Sequence, residues 1–278
     1  MTTAPASVPP ALAPLPSDSK SRLGWAISDT MAIVKRNLIT LKRVPQLLIF
    51  STVQPVIFVL LFVYVFGGAI PIPGVTYVNY LMPGIFLQTV TFGAVNTGIG
   101  LADDLNKGFI ERFRSLPMAR SAVLAGRTVA DLIRNLLVVM LMLVVGYLVG
   151  FRIQTDVFQA TAAIVLLLAF AFSLAWVFAY VGLGASNAES AQAASFPIVA
   201  VLVFASPAFV PVASMPTWLQ GFANHQPVGA TVNAVRALMV GGPFATETLK
   251  YVGLSLAWSI AIVAVFAPLA VSKYRRAA

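Results

Sequence analysis

Side chains able to hold a proton, a metal or a covalent intermediate are scarce in this sequence. There is no cysteine, and the single histidine, His225, sits in an Asn-His-Gln-Pro run. Disulfides, thiolate metal sites, catalytic thiols and histidine-built triads are therefore unavailable. Nine carboxylates are spread over 278 residues, and without His, Asp and Glu gathered near one bilayer face an enzyme is disfavoured. No G-x-x-x-x-G-K-[ST] run is present to cradle a nucleotide's phosphates. The densest chemistry lies in residues 102–127, where Lys107, Glu111, Arg112 and Arg114 flank Phe109, Ile110, Phe113 and Leu116 at helical spacing. Pro117 stops that short helix, because proline lacks the amide proton and clashes with the preceding turn. This is binding chemistry: an apolar face rimmed by charge fits a groove on a partner protein, and equally a membrane surface.

The elements that must carry this segment follow from composition. The chain is 59% apolar and 10% charged, with a mean hydropathy of +0.89, against about 45–50% and about 25% for soluble domains. A water-soluble fold is excluded. A net charge of +9 would signal nucleic acid if the basic residues lined one stripe; here they flank apolar runs instead, so no nucleic-acid partner is expected. Crossing a hydrocarbon core takes about 20 apolar residues of helix. Six stretches meet that demand, near 46–67, 81–101, 128–151, 158–185, 196–214 and 249–271.

Positive loops stay in the cytoplasm. With the N-terminus inside, that side collects six Lys and Arg before the first span, six from Lys107 to Arg134, and Lys273, Arg275 and Arg276, which is fifteen of the eighteen. Only Arg152, Arg236 and Lys250 fall outside. Six spans with both termini cytoplasmic is therefore the expected topology.

Residues 1–20, rich in Pro, Ala and Ser, lack the charged start and apolar core of a signal peptide and read as a disordered cytosolic tail. Residues 21–45 place Leu23, Ile27, Met31, Val34, Leu38 and Leu41 at helical spacing beside Lys35, Arg36, Lys42 and Arg43. That suits an amphipathic interfacial helix on membrane lipids, or a solvated helix leading into the first span. Within the spans, Ala171, Ala175 and Ala179 form a small-residue stripe for close helix packing, and Pro55 and Pro83 mark kinks or span ends. Asp131, near Arg127 and Arg134, is expected in an i,i+3/i+4 ion network at the inner interface.

Three segments resemble one family. Gly108 to Met118 is similar to the G-x-x-E-R-[LF]-R-x-L-P region of the ABC-2-type permeases, particularly their actinobacterial branch of daunorubicin- and doxorubicin-resistance drug exporters. Asn187-Ala188-Glu189-Ser190-Ala191-Gln192 resembles that family's N-x-E-x-A-Q turn. Phe204 to Pro211, followed by Met215 to Leu219, Gln226-Pro227 and Arg236-Ala237-Leu238, resembles its fifth span and outer segment.

The resemblance implies an all-α, six-span transmembrane domain over residues 46–278, with a cytoplasmic coupling helix in loop 102–127 and short extracellular helices within 215–248. It implies that Lys107, Phe109, Ile110, Glu111, Arg112, Phe113, Arg114, Leu116 and Pro117 couple the chain to an ATP-binding cassette subunit. ATP and magnesium would then sit on that partner, with no cofactor or metal on this chain. It further implies pairing with a second permease copy or a paralogue, inner-turn contacts at Asn187, Glu189 and Gln192, and a pathway at Gln54, Gln88, Thr89, Thr91, Asn96, Phe204 and Phe209. Those polar side chains serve equally well as partners for neighbouring helices. Trp218, His225, Pro227 and Arg236 would belong to an extracellular cap, its helices re-entrant or lying on the surface. The expected function is export of drug-like or lipid-like amphipathic compounds across a bacterial plasma membrane. An ion-coupled secondary exporter is the alternative.

Overall fold

The computed structural model describes residues 46–108 and 120–277, together with Met31. The amphipathic stretch 21–45, Met31 apart, and Phe109, Ile110, Glu111, Arg112, Phe113, Arg114, Leu116 and Pro117 of the coupling loop lie outside the described residues. Among the described residues there is helix and turn but no strand. Helix α1 (Gln46–Leu60) continues as a π-helical turn, Leu61–Phe66; α2 (Tyr77–Asn106), α3 (Arg120–Val149), α4 (Val157–Gly182) and α5 (Ala188–Phe204) follow. A 3-10 turn at Val212–Ser214 leads to two short helices, α6 (Thr217–His225) and α7 (Pro227–Met239), and a second at Gly242–Glu247 leads to α8 (Thr248–Ala277).

The helix ends follow from local chemistry. Asp156 caps α4, its carboxylate accepting from the Gln159 amide at 2.7 Å. Asn187 and Ser190 form a reciprocal capping box that starts α5, satisfying amides that a helix start leaves orphaned. Gly150, at φ +105°, makes the turn after α3, a conformation that costs glycine nothing and other residues strain. Gln226 caps α7 and Pro227 takes its first turn, where a missing amide proton does no harm.

Helix α2 is the hub. From Asn79 to Thr91 every residue is buried, and it packs against α3, α4, α5 and α7. The tightest crossing is with α4: a Cβ at Gly98 would run into the Phe178 carbonyl, and one at Gly182 into Gly98 itself. Only glycines let two backbones meet so closely. Around the hub gather Leu81, Ile85, Phe86, Phe170, Phe178, Val199 and Val235, all fully buried. The expected alanine stripe is buried too, with Ala179 packed among Leu101, Ala270 and Tyr274. By contrast α3 and α8 turn Val144, Leu148, Ile260 and Val265 outward. Long apolar helices with a bare apolar exterior belong in a bilayer.

Four helices are long and apolar enough to cross a membrane by themselves: Tyr77–Asn106, Gly126–Val149, Val157–Gly182 and Gly242–Arg276. The first and fifth expected spans are shorter apolar helices, Thr52–Phe66 and Ala188–Phe204. Hydropathy puts the fifth at 196–214, yet the helix starts eight residues earlier and ends ten earlier. The capping box at Asn187 fixes its start ahead of the apolar run, and the Ser206–Pro211 stretch, apolar in composition, is a turn. Pro55 and Pro83 both lie inside helices and end neither.

Candidate functional site

A cavity of about 380 Å³ opens between α1, α2, α3 and α5. Its polar wall is Gln54, Gln88, Thr89, Asn96, Arg134, Asn135 and Gln192, and its apolar wall includes Phe92, Phe196 and Val199. The rings of Phe92 and Phe196 stand 6.5 Å apart, tilted by 58°. Some of these polar groups have local employment: the Thr89 hydroxyl donates to the Ile85 carbonyl at 2.7 Å. Gln88 does not. It is 2% exposed, and its Oε1 is buried without a hydrogen-bond partner among the described residues. An unmade hydrogen bond of that kind costs about 1–3 kcal/mol, which a bound molecule's donor would relieve. The cavity lies within the roughly 300–1,000 Å³ typical of small-molecule sites.

Toward the C-terminal end of α1, beyond Gln54 in sequence, five aromatic rings gather between α1 and the end of α5. Phe62 stacks on Phe209 with centroids 4.7 Å apart and planes 11° off parallel. Phe204 also stacks on Phe209, at 5.5 Å, and Phe58 and Phe66 extend the group along α1 and its π-helical turn. Offset ring pairs at these separations add about 0.5–1.5 kcal/mol each beyond the area they bury. Phe62 and Phe66 lie in the π-helical turn, a form that recurs at functional positions.

The turn bearing Phe209 is held from two sides. Tyr77 donates its hydroxyl to the Phe209 carbonyl at 3.0 Å and Tyr80 to the Pro207 carbonyl at 3.1 Å. Arg236, on α7, donates to Pro207, to the Tyr80 carbonyl and to Asn233 Oδ1 at 2.8, 3.1 and 3.0 Å. Though only 1% exposed, it has no carboxylate partner among these contacts. Three carbonyl-type acceptors and the Tyr80 ring carry the charge.

Near the C-terminal end of α2, Arg127 of α3 pairs with Asp104 of α2, and Arg134 with Asp131 at 3.3 Å. The i,i+3 half of the expected ion network is thus present, whereas Arg127 reaches across to another helix instead of pairing with Asp131. Arg134, a cytoplasmic loop charge by its place in the sequence, lines the cavity. Lys107, exposed, is held above the ordinary lysine range by its hydrogen bond to Asp103 and that group's charge. Among the described residues no group of three or more His, Asp or Glu could hold a metal.

The family model described as ABC-2 type transporter matches residues 28–240. The chain belongs to the ABC-2 type transporter membrane family. It is 36% identical, over 90% of its own length and 87% of the relative's, to the daunorubicin resistance ABC transporter permease protein DrrB1 of Streptomyces coeruleorubidus. It is 29% identical to the probable doxorubicin resistance ABC transporter permease protein DrrC of Mycobacterium tuberculosis, covering 71% of this chain and 70% of that one. A putative transport permease, ycf38, of Cyanophora paradoxa is 25% identical over 86% and 85%. The permeases of this family work with ATP-binding subunits.

In this ABC-2 chain the structure gathers Gln54, Gln88, Thr89 and Asn96 on one cavity and adds Gln192 to it. Thr91 is not there: it is fully buried and bonded to the Leu87 carbonyl. Phe204 and Phe209 belong to the ring cluster. Asn187 spends its side chain on the capping box and Glu189 lies beside it in the first turn of α5. Trp218 is 77% exposed on α6, and His225 Nδ1 lies 2.8 Å from the Gly221 carbonyl. Sequence reasoning misses Arg134, Asn135, Phe92 and Phe196 as cavity residues. Their signal exists only as the register of α3 and α5 against α2.

Proposed function

We propose that this chain is the membrane subunit of an ATP-driven exporter, carrying amphipathic, drug-like or lipid-like molecules outward through the cavity between α1, α2, α3 and α5. The observation that carries this reading is the cavity itself. Amide groups and two aromatic rings face a volume of about 380 Å³, a lining for a flat, partly apolar molecule with a few hydrogen-bonding groups. Its one cation, Arg134, is neutralised by Asp131, so the wall offers no net charge to an anionic polymer. The same pairing argues against ion coupling, which usually leaves a titratable carboxylate free within the spans.

Energy comes from a separate ATP-binding subunit, which holds ATP and magnesium and docks on residues 107–117, with Asn187 and Glu189 presented at the inner turn beside it. Six helices cross the membrane: α1 with its π-helical turn runs 21 residues from Gln46 to Phe66, about 31 Å at helical rise, and α5 is a short fifth span. Both termini are cytoplasmic in a bacterial plasma membrane. α6 and α7 cap the exit as re-entrant helices, and two copies, or this chain and a paralogue, pair to form the transporter.

The test is uptake of daunorubicin into inverted vesicles containing this chain and its ATP-binding subunit. ATP-dependent uptake that is insensitive to a protonophore is expected. Uptake that needs no ATP and collapses with the proton gradient would replace this reading by a secondary carrier.

A further inference from the structure

The contact between α2 and α3 changes character along its length. In the outer half it is apolar, with Val138, Val139 and Met142 of α3 in one core with Met82, Phe86 and Val90 of α2. In the inner half it is a ladder of polar rungs. Asp104 pairs with Arg127. A Cβ at Gly100 would overlap the Arg127 guanidinium, so Gly100 makes room for that cation. Thr97 donates to Asp131 at 2.5 Å. Arg134 donates to the Gly93 carbonyl at 2.8 Å and closes on Asp131, while Asn135 lies against the bare Cα of Gly93.

The rungs fall at 93, 97, 100 and 104 on α2 and at 127, 131 and 134–135 on α3. Alternating steps of three and four residues are the spacing that keeps one seam facing its partner along two antiparallel helices. From Gly93 to Asp104 the ladder extends along α2 for about 16 Å at a rise of about 1.5 Å per residue. The paired side chains are largely withdrawn from solvent, at 19% and 19% exposure for Arg127 and Asp104, and 16% and 13% for Arg134 and Asp131.

Apolar packing is non-directional and lets helices slide at small cost. Charge-assisted bonds with little water to replace them fix register and orientation. The inner end of the ladder, Asp104, lies three residues before Lys107, where the cytoplasmic connection begins. The outer end, Gly93, Arg134 and Asn135, is cavity wall. We propose that this polar seam is a positioning device: it locks the inner halves of α2 and α3 into one rigid hairpin, so that a displacement at the Lys107 end arrives at the cavity through Arg134 and Asn135. The inference rests on the reading of residues 107–117 as the docking element.

Because the chain has no cysteine, single reporters can be placed in it and read on this chain's own band without a background from other thiols of the chain. In membranes holding the chain with its ATP-binding subunit, maleimide labelling is followed at Lys107→Cys, beside the docking element, and at Asn96→Cys, in the cavity. Each is measured without nucleotide and after trapping with ATP and vanadate. Both labelling rates are expected to change severalfold on trapping. Arg127→Asp should abolish the response at position 96 and spare that at position 107, and adding Asp104→Arg should restore it. Thr97→Val, close to isosteric, gives a second break of the seam and should at least halve the response at position 96. A response at 96 that survives both Arg127→Asp and Thr97→Val would overturn the proposal. So would a response at 107 alone in the otherwise native chain. Silence at both positions would sink the docking reading, and the seam with it.

Discussion

The guanidinium carbon of Arg236 lies 3.7 Å from the centroid of the Tyr80 ring, and the same arginine donates to the backbone carbonyl of Tyr80. One residue of α2 thus supplies both a π face and an acceptor to a cation on α7. A second carbonyl, that of Pro207, accepts from Arg236 and from the Tyr80 hydroxyl together. The start of α2, the turn after α5 and α7 are thereby joined at one point.

Arg236→Ala should therefore be costly. It removes three charge-assisted hydrogen bonds, to Asn233 Oδ1 and to the Tyr80 and Pro207 carbonyls, the last of which keeps its bond from the Tyr80 hydroxyl, at about 1.5–3 kcal/mol for each bond to a charged group, not fully additive. A loss of about 3 kcal/mol or more is expected, read as a fall in the thermal aggregation midpoint of detergent-purified protein. Arg236→Lys keeps the charge but has no planar fork to reach three acceptors, so it should fall between. Unchanged stability in Arg236→Ala would show that this junction is not what holds α7 in place.

Much of the fold is legible in the amino-acid sequence. The apolar runs find α1 to α5 and α8, because an apolar helix announces itself by length and composition alone. Hydropathy misplaces the fifth because it cannot tell the apolar turn Ser206–Pro211 from a helix, while the polar capping box at Asn187 lies ahead of the apolar run. The cavity is half legible. The family resemblance names Gln54, Gln88, Thr89 and Asn96, which do line the cavity, but the same set includes Thr91, which folds back on its own helix. Arg134 is hidden by its charge, since a lysine or arginine near a span end reads as a loop marker until its helix partner is known.

Gln88 separates recognition from packing. Its buried Oε1 lacks a partner among the described residues, so Gln88→Leu removes an unpaired acceptor and should leave stability unchanged or raise it slightly. If a transported molecule supplies the missing donor, apparent affinity for daunorubicin should weaken about three- to tenfold, the worth of a hydrogen bond of about 0.5–1.5 kcal/mol. Concentration-dependent uptake into inverted vesicles measures this. Native affinity in Gln88→Leu would assign Gln88 to helix packing alone.

The crossing of α2 and α4 should tolerate no side chain. Gly98→Ala places a methyl on the Phe178 carbonyl, and backbone cannot rotate away as a side chain would. Overpacking of this kind costs about 1–3 kcal/mol for one methyl, and Gly98→Val should prevent accumulation altogether. Gly253, with open space around it, is the control: Gly253→Ala should express at native levels by immunoblot of isolated membranes. Equal expression of Gly98→Val and Gly253→Ala would mean that the two helices do not meet so closely.

Phe209 is 4% exposed and stacks with both Phe62 and Phe204, and on the proposed topology its truncation should open the outer end of the pathway. Phe209→Ala is expected to cost about 3–5 kcal/mol as a core truncation. Tyr77→Phe, which only releases the Phe209 carbonyl from its hydrogen bond, should cost about 1 kcal/mol. The two variants divide a plug from a packing residue. If the rings close the outer end, a cysteine at Asn96 becomes accessible to an impermeant maleimide added from outside in Phe209→Ala and stays protected in Tyr77→Phe, with both proteins at comparable levels in the membrane. Protection in both variants would leave the ring cluster as packing and move the outer barrier elsewhere, with α6 and its exposed Trp218 the next place to look.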